Sequence, residues 1–290
     1  MFSRRNQQTI ARGCCVAGFG YWSGRDVQVE FRPAEANTGI VFVRSDLPQQ
    51  PRIPARVSQR CDMPRRTNLR AGDASVDMVE HIIAALAGLQ IDNCEVWASA
   101  QEMPGCDGSS QAFVAALDGA GRLEQNALRA QLVIRNTVRM GSPECWIEAQ
   151  PCCSGKTILQ YELDFGPGSA IGRQALELVL SPQTFRNEIA ACRTFAMKAE
   201  AEAWQQRGIG TRATFQDLLV FDQQGPIDNQ LRFPDECVRH KLLDMVGDLA
   251  LAGCDLLGRV SAYRSGHYLN AELVQSLLDC TQFQSLKRCA

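Results

Sequence analysis

The chain contains only three histidines, His81, His240 and His267, and each has a carboxylate or a cation within three residues. In "ECVRHKLLDMVGDLALAG" apolar residues recur at helical spacing, so His240 and Asp244 leave one face of a helix together, as two ligands of one metal ion would. Asp248 continues that stripe one turn on. An ordinary exposed, salt-bridged helix face has the same spacing. His81 follows Glu80 in an otherwise apolar helix, where a charged pair is costly to bury without a task. Two histidines and an aspartate leave a tetrahedral zinc with one open position for water, which marks catalytic rather than structural zinc. Glu80 then neighbours a ligand without being one. Zincin helices place a general-base glutamate beside a ligand histidine in the same way, although here the order is Glu then His and the sites lie on separate helices; a solvated surface carboxylate is the alternative for Glu80.

His267 lies in "AYRSGHYLN", after a glycine at the end of a predicted strand, with Arg264 just upstream. A histidine there can protonate a leaving group, while Arg264 and Lys241 can hold phosphate oxygens. A turn histidine and a surface lysine are the alternatives. In "CRTFAMK", Thr194 can donate to an oxyanion and Phe195 can pack on an apolar part of a substrate; strand threonines and core phenylalanines are also common. Asp107-Gly108-Ser109 reads as a turn leading to a helix cap.

These residues need a scaffold, and 290 residues suffice for two domains with cores of their own. Apolar residues make up 45% and charged residues 21%, the balance of a globular chain. Lys+Arg 30 against Asp+Glu 32 gives a net charge of −2, so no global field invites nucleic acid. Thirteen cysteines without a CxxC pair read as free thiols, which favours a reducing compartment. With no apolar signal core after Arg4-Arg5 and no run long enough to span a bilayer, a cytoplasmic protein without stable membrane insertion is expected, most simply a monomer.

Three or four strands are predicted before residue 50, then a helix over "SVDMVEHIIAALAGL", capped by Ser75 or Asp73 and stopped by Gly88. A strand "NCEVWAS" and a second helix through Phe113, Val114 and Leu117 complete a first domain, 1–125. The second, 126–290, repeats the order: strands in "QLVIRNTVRM", "CWIEAQ" and "KTILQYELDF", the His240 helix, a strand "GRVSAYRS" and a last helix "NAELVQSLLD". "VEHIIAALAGL" can be laid on "VRHKLLDMVGDL" with His81 over His240, which suggests a duplicated α+β unit with a site between its copies.

With these residues in hand, the chain resembles the UDP-3-O-acyl-N-acetylglucosamine deacetylase family (LpxC) of lipid A biosynthesis. The resemblance runs from about Gln8 to about Leu278 and rests on "PAEANTGIVFVRSD", "VDMVEHIIAALAGLQIDN", "EMPGCDGSS", "RTF", "FPDECVRHKLLDMVGDL" and "YRSGHYLN". It implies an α+β fold of two similar domains, each with helices packed between β-sheets, and an active site at the domain junction. It implies Zn2+ on His81, His240 and Asp244, Glu80 as general base, His267 as general acid oriented by Asp248, and Thr194 donating to the oxyanion. Lys241 and Arg264 would serve the sugar and diphosphate, Phe195 an apolar part of the substrate, and Asp164-Phe165 the uridine. The stretch "AMKAEAEAWQQRGIG", with Met197, Ala201, Trp204 and Ile209, would flank an apolar passage for the fatty acyl chain; a helix packed on its own domain is the other reading.

The chain also departs from the family's pattern. Trp22 stands where a histidine is usual, Arg65 replaces a small residue near the zinc site, and "FGPG" lacks the common Asp/Asn-His-Pro. A phosphate-contacting lysine has no match near Glu144, and Arg212-Ala213 stand where glycines are typical. The expected activity is zinc-dependent hydrolysis of the N-acetyl amide of a UDP-linked, 3-O-acylated glucosamine. A catalytically altered paralogue that binds or deacetylates a different nucleotide sugar is the rival. A non-haem iron oxygenase could use the same three ligands, but it would call for barrel strands where His240 and Asp244 have a helix. A structural zinc site would need a fourth protein ligand.

Overall fold

The computed structural model describes residues 4–286, with side chains as far as Cys280. Alternating apolar and polar residues form β1 (Asn6–Ile10), β2 (Cys14–Phe19), β3 (Asp26–Pro33), β4 (Ile40–Arg44) and β5 (Arg52–Pro54). A smaller sheet of β6 (Arg60–Cys61), β7 (Asn68–Ala71) and β8 (Ala74–Val76) precedes α1 (Glu80–Gly88). Then come β9 (Cys94–Ala98), α2 (Gln111–Ala120) and β10 (Arg122–Leu128), which pairs back with β1. The chain continues through β11 (Gln131–Val133), β12 (Val138–Ser142), β13 (Cys145–Gln150), β14 (Thr157–Asp164), β15 (Arg173–Val179) and a single helical turn, α3 (Pro182–Thr184). It ends with β16 (Phe195–Met197), α4 (Lys198–Gln206), β17 (Leu219–Phe221), α5 (Glu236–Ala250), β18 (Asp255–Tyr263) and α6 (His267–Leu286).

The duplication appears in the strand order. One sheet runs β2-β3-β9-β4-β5, the other β12-β13-β18-β14-β15, with β11 also against β18. In each, the strand that follows the central helix pairs antiparallel on one side and parallel on the other: β9 with β3 and β4, β18 with β13 and β14. The fold is therefore two similar α+β units. α1 is apolar nearly all round and buried everywhere but Ala87, as a helix enclosed on all sides must be. It lies against α5, and these two helices carry His81 and His240 into one interior. On the side near the chain start, Arg5 ties the units together, bonding Asp92 at 2.6 Å and Asp255 at 2.8 Å.

Three local expectations are corrected. The first helix does not start at a Ser75 or Asp73 cap, because Ala74–Val76 is taken into antiparallel pairing with Asn68–Ala71 and Met78 is left-handed, at φ 59°. Helix α1 starts instead at Glu80, whose carboxylate sits in the first turn, where the helix dipole favours negative charge. Gly88 is not a left-handed stop. That conformation falls to Gln90, at φ 60°, while Gly88 leaves room for the Phe185 ring, 2.3 Å from where a Cβ would stand. His267 is not at a strand end: β18 stops at Tyr263 and His267 is the first residue of α6.

Candidate active site

His240, Asp244 and Asp248 sit on successive turns of α5 and are 2%, 4% and 1% exposed, so the solvated-face reading fails; Glu80, at 3%, is equally buried. Asp244 Oδ1 lies 3.6 Å from His81 Nε2 and 3.3 Å from His240 Nε2. The two imidazoles meet edge to face with centroids 5.1 Å apart, and one donor atom from each of the three residues falls within 4.8 Å of the others. His240 Nδ1–H donates to the Cys192 carbonyl at 3.1 Å, leaving Nε2 for the cluster. Burial lowers the His240 pKa to about 4, which keeps the ring neutral. Burial alone would raise the Asp244 pKa, but its polar surroundings, with Lys241 Nζ donating to Oδ2 at 2.6 Å, hold it well below the usual carboxylate range. Two imidazole nitrogens and a carboxylate are the donor types that a divalent ion such as zinc takes.

Beside this cluster a second pair converges. His267 Nε2 is 4.0 Å from Glu80 Oε1, and its Nδ1–H donates to Asp248 Oδ2 at 2.8 Å. Burial alone would lower the His267 pKa, but the Asp248 charge and hydrogen bond raise it to about 9. Burial pushes the Glu80 carboxyl above its ordinary range, against the pull of His267 and His81. A carboxylate able to take a proton thus faces an imidazolium able to give one.

A cleft of about 1530 Å3 opens from these groups, and Thr194, Phe195, Lys241, Arg264, Asp164 and Phe165 all line it. Thr194 is fixed by its backbone, its N–H donating to Gly108 O at 2.7 Å. The Phe195 ring stands 6.2 Å from His240 and 5.8 Å from Phe165. Asp164 accepts from Tyr263 Oη at 3.0 Å and from Gly166 N at 2.8 Å, which orients that turn. Met197, Ala201, Trp204 and Ile209 line the same cleft, and α4 has no fully buried residue, so this helix is a cleft wall rather than a packed core element.

A family model described as UDP-3-O-acyl N-acetylglycosamine deacetylase, LpxC, matches residues 7–279. The UDP-3-O-acyl-N-acetylglucosamine deacetylase of Psychrobacter arcticus is 39% identical over 275 residues, 94% of this chain and 85% of that protein. A protein of the same name from Brucella ovis is 39% identical over 284 residues, 97% of this chain and 98% of its own length. The chain belongs to the LpxC deacetylase family. Arg65, which departs from the family's pattern, is a half-exposed side chain that pairs with Glu200 at 2.7 Å, and its Cζ lies 5.0 Å from the Trp204 ring centroid. The cysteines of the described residues are free thiols, and among those residues no helix is long and apolar enough to cross a membrane.

Several residues that hold this LpxC-type site together escape the sequence reading. Thr67 donates its hydroxyl to Asp248 Oδ1 at 2.5 Å and its N–H to Glu80 Oε2 at 3.0 Å, joining the two carboxylates. Asn270 donates to Asp248 Oδ2 at 2.8 Å and accepts from Ser265 at 2.8 Å. Glu236 binds Arg193 through Nε at 2.8 Å and the backbone N–H at 3.0 Å, which fixes the Cys192–Thr194 segment. Glu236 could have been found, since it heads the same four-residue stripe as His240, Asp244 and Asp248. Asn270, one turn beyond His267, carries a similar signal. Thr67 carries none.

Proposed function

We propose that the chain hydrolyses the N-acetyl amide of UDP-3-O-acyl-N-acetylglucosamine, releasing acetate and UDP-3-O-acyl-glucosamine for lipid A synthesis. The observation that supports this most is the approach of Glu80 to His267, 4.0 Å apart, beside the buried His81, His240 and Asp244. Zinc held by those three residues would lower the pKa of a water toward about 7 and polarise the amide carbonyl. Glu80 takes a proton from the attacking water as its oxygen bonds to the amide carbon. Thr194 donates to the oxygen that gains charge. The C–N bond breaks as His267 gives its proton to the departing nitrogen, since an amine leaves poorly unless protonated. Asp248 keeps His267 oriented and charged through its 2.8 Å bond.

In this reading Lys241 and Arg264 meet the sugar and diphosphate, Asp164 and Phe165 the uridine, and Phe195 the sugar's apolar face. The acyl chain follows Met197, Ala201 and Ile209. Residues 1–125 supply Glu80 and His81, residues 126–290 the remaining groups, and the enzyme works as a cytoplasmic monomer. The test is acetate release from synthetic UDP-3-O-acyl-N-acetylglucosamine by zinc-loaded protein. Release only from the unacylated sugar, or from neither compound, would overturn the assignment.

A further inference from the structure

The cleft has walls from both halves of the chain, and at one place the walls touch. Trp22, just after β2, and Trp204, on α4, both line the cleft, and their ring centroids are 5.5 Å apart at 50°. Each indole also carries a guanidinium: Arg66 Cζ lies 4.5 Å from the Trp22 centroid, and Arg65 Cζ 5.0 Å from that of Trp204. Arg65 pairs with Glu200, one helical turn before Trp204, and Arg66 lies 4.0 Å from Asp77. Further along, Arg212 donates to Gly24 O at 3.0 Å and to Asp26 at 2.7 Å. With no fully buried residue of its own, α4 meets the first half of the chain through the Trp22–Trp204 contact and through Arg65, which touches both Glu200 and Trp204.

We propose that Trp22 and Trp204 form a clasp that bounds the acyl passage and sets the chain length the enzyme processes best. The proposal rests on the deacetylase reading above. Met197, at the N-cap of α4, and Ala201 and Trp204, one turn apart on it, all line the cleft, so a chain laid from Phe195 past them runs toward the indoles. Each methylene buried on the way is worth roughly fourfold in affinity. Where the chain reaches the paired rings, a further methylene must part them or turn into water, and the gain stops. Arg65, tied to Glu200, hinders Trp204 from swinging aside.

The experiment compares kcat/KM for UDP-3-O-acyl-N-acetylglucosamines lengthened two carbons at a time, using wild type, Trp22→Ala, Trp204→Ala and Trp204→Phe. Binding of the matching deacetylated products, followed by calorimetry, gives a readout that needs no turnover. Wild type should gain with length up to a break and then level off. In the alanine variants the break should move outward by at least two methylenes, raising the long-to-short ratio by roughly tenfold or more, with Trp204→Phe between. Identical breaks in folded variants, or a wild type indifferent to length, overturn the clasp. If products bind with a break that the variants move but no substrate is hydrolysed, the activity reading fails and the clasp stands.

Discussion

Gly247 of α5 rests on the backbone of Glu80: a Cβ placed at 247 would come within 2.3 Å of the Glu80 carbonyl oxygen and 3.0 Å of its carbonyl carbon. The two halves of the chain are therefore in backbone contact at the residue that carries the proposed base. Backbone cannot swing away as a side chain can, so Gly247→Ala should push α1 from α5. We expect a loss of about 1–3 kcal/mol from overpacking and at least a tenfold drop in kcat. Gly119 in α2, where a Cβ meets nothing within 4 Å, supplies the control, and Gly119→Ala should be neutral or stabilising. Urea midpoints and initial rates read both, and a Gly247→Ala protein with wild-type stability and rate would contradict the close approach.

Metal content should follow the convergent donors. A His81→Ala, His240→Ala double variant should fold, as judged by circular dichroism, yet lose its stoichiometric zinc and its activity together. Zinc retained at full occupancy in that variant would move the site elsewhere.

The rate should depend on pH through His267, which must be protonated to act as an acid. Its pKa of about 9 means that the acid is present below that pH and is lost as pH rises through it. Replacing Asp248 by Asn removes the charge that raises this pKa. The alkaline limb of kcat should then move down, toward the ordinary histidine range near 6.5. A limb that stays in place in Asp248→Asn would assign it to another group.

Glu236→Ala would leave Arg193 buried without its carboxylate, a change that typically costs about 3–5 kcal/mol. Because Arg193 lies between Cys192, which orients His240, and Thr194, zinc affinity should weaken as well. Glu236→Gln, which keeps the shape and some of the hydrogen bonds, should recover part of both. Competition with a chelator of known affinity separates that effect from global unfolding, which chemical denaturation reports.

The parts of the site legible in the sequence are those written at helical spacing. His240, Asp244 and Asp248 share one face of α5 because 3.6 residues make a turn, and the likeness between the two central helices brings His81 to the same place. What sequence could not give depends on distant elements meeting. Thr67 reaches Asp248 across 181 positions, and no periodicity marks it. Helix α1 was expected to start at Ser75 because local cap chemistry cannot see that Ala74–Val76 pairs with a neighbouring strand. Arg65 found a partner on α4, a contact set only by closure of one half on the other.

The repeated strand order carries a last consequence for how the chemistry is divided. Superposing the two central helices sets His81 on His240 and Gly88 on Gly247, but Glu80 on Arg239, Ala85 on Asp244 and Leu89 on Asp248. The scaffold is symmetric and the functional groups are not. Two copies of the first half would bring together two of the proposed bases and two imidazoles with no aspartate to complete the proposed ligand set. Two copies of the second would bring two pairs of proposed ligands and no proposed base, with Arg239, already bound to Asp235 and Glu188, in its place. Even the shared glycine has diverged in use, one copy admitting the Phe185 ring and the other the backbone of Glu80. Neither half is a smaller version of the enzyme, and each is the complement that the other lacks.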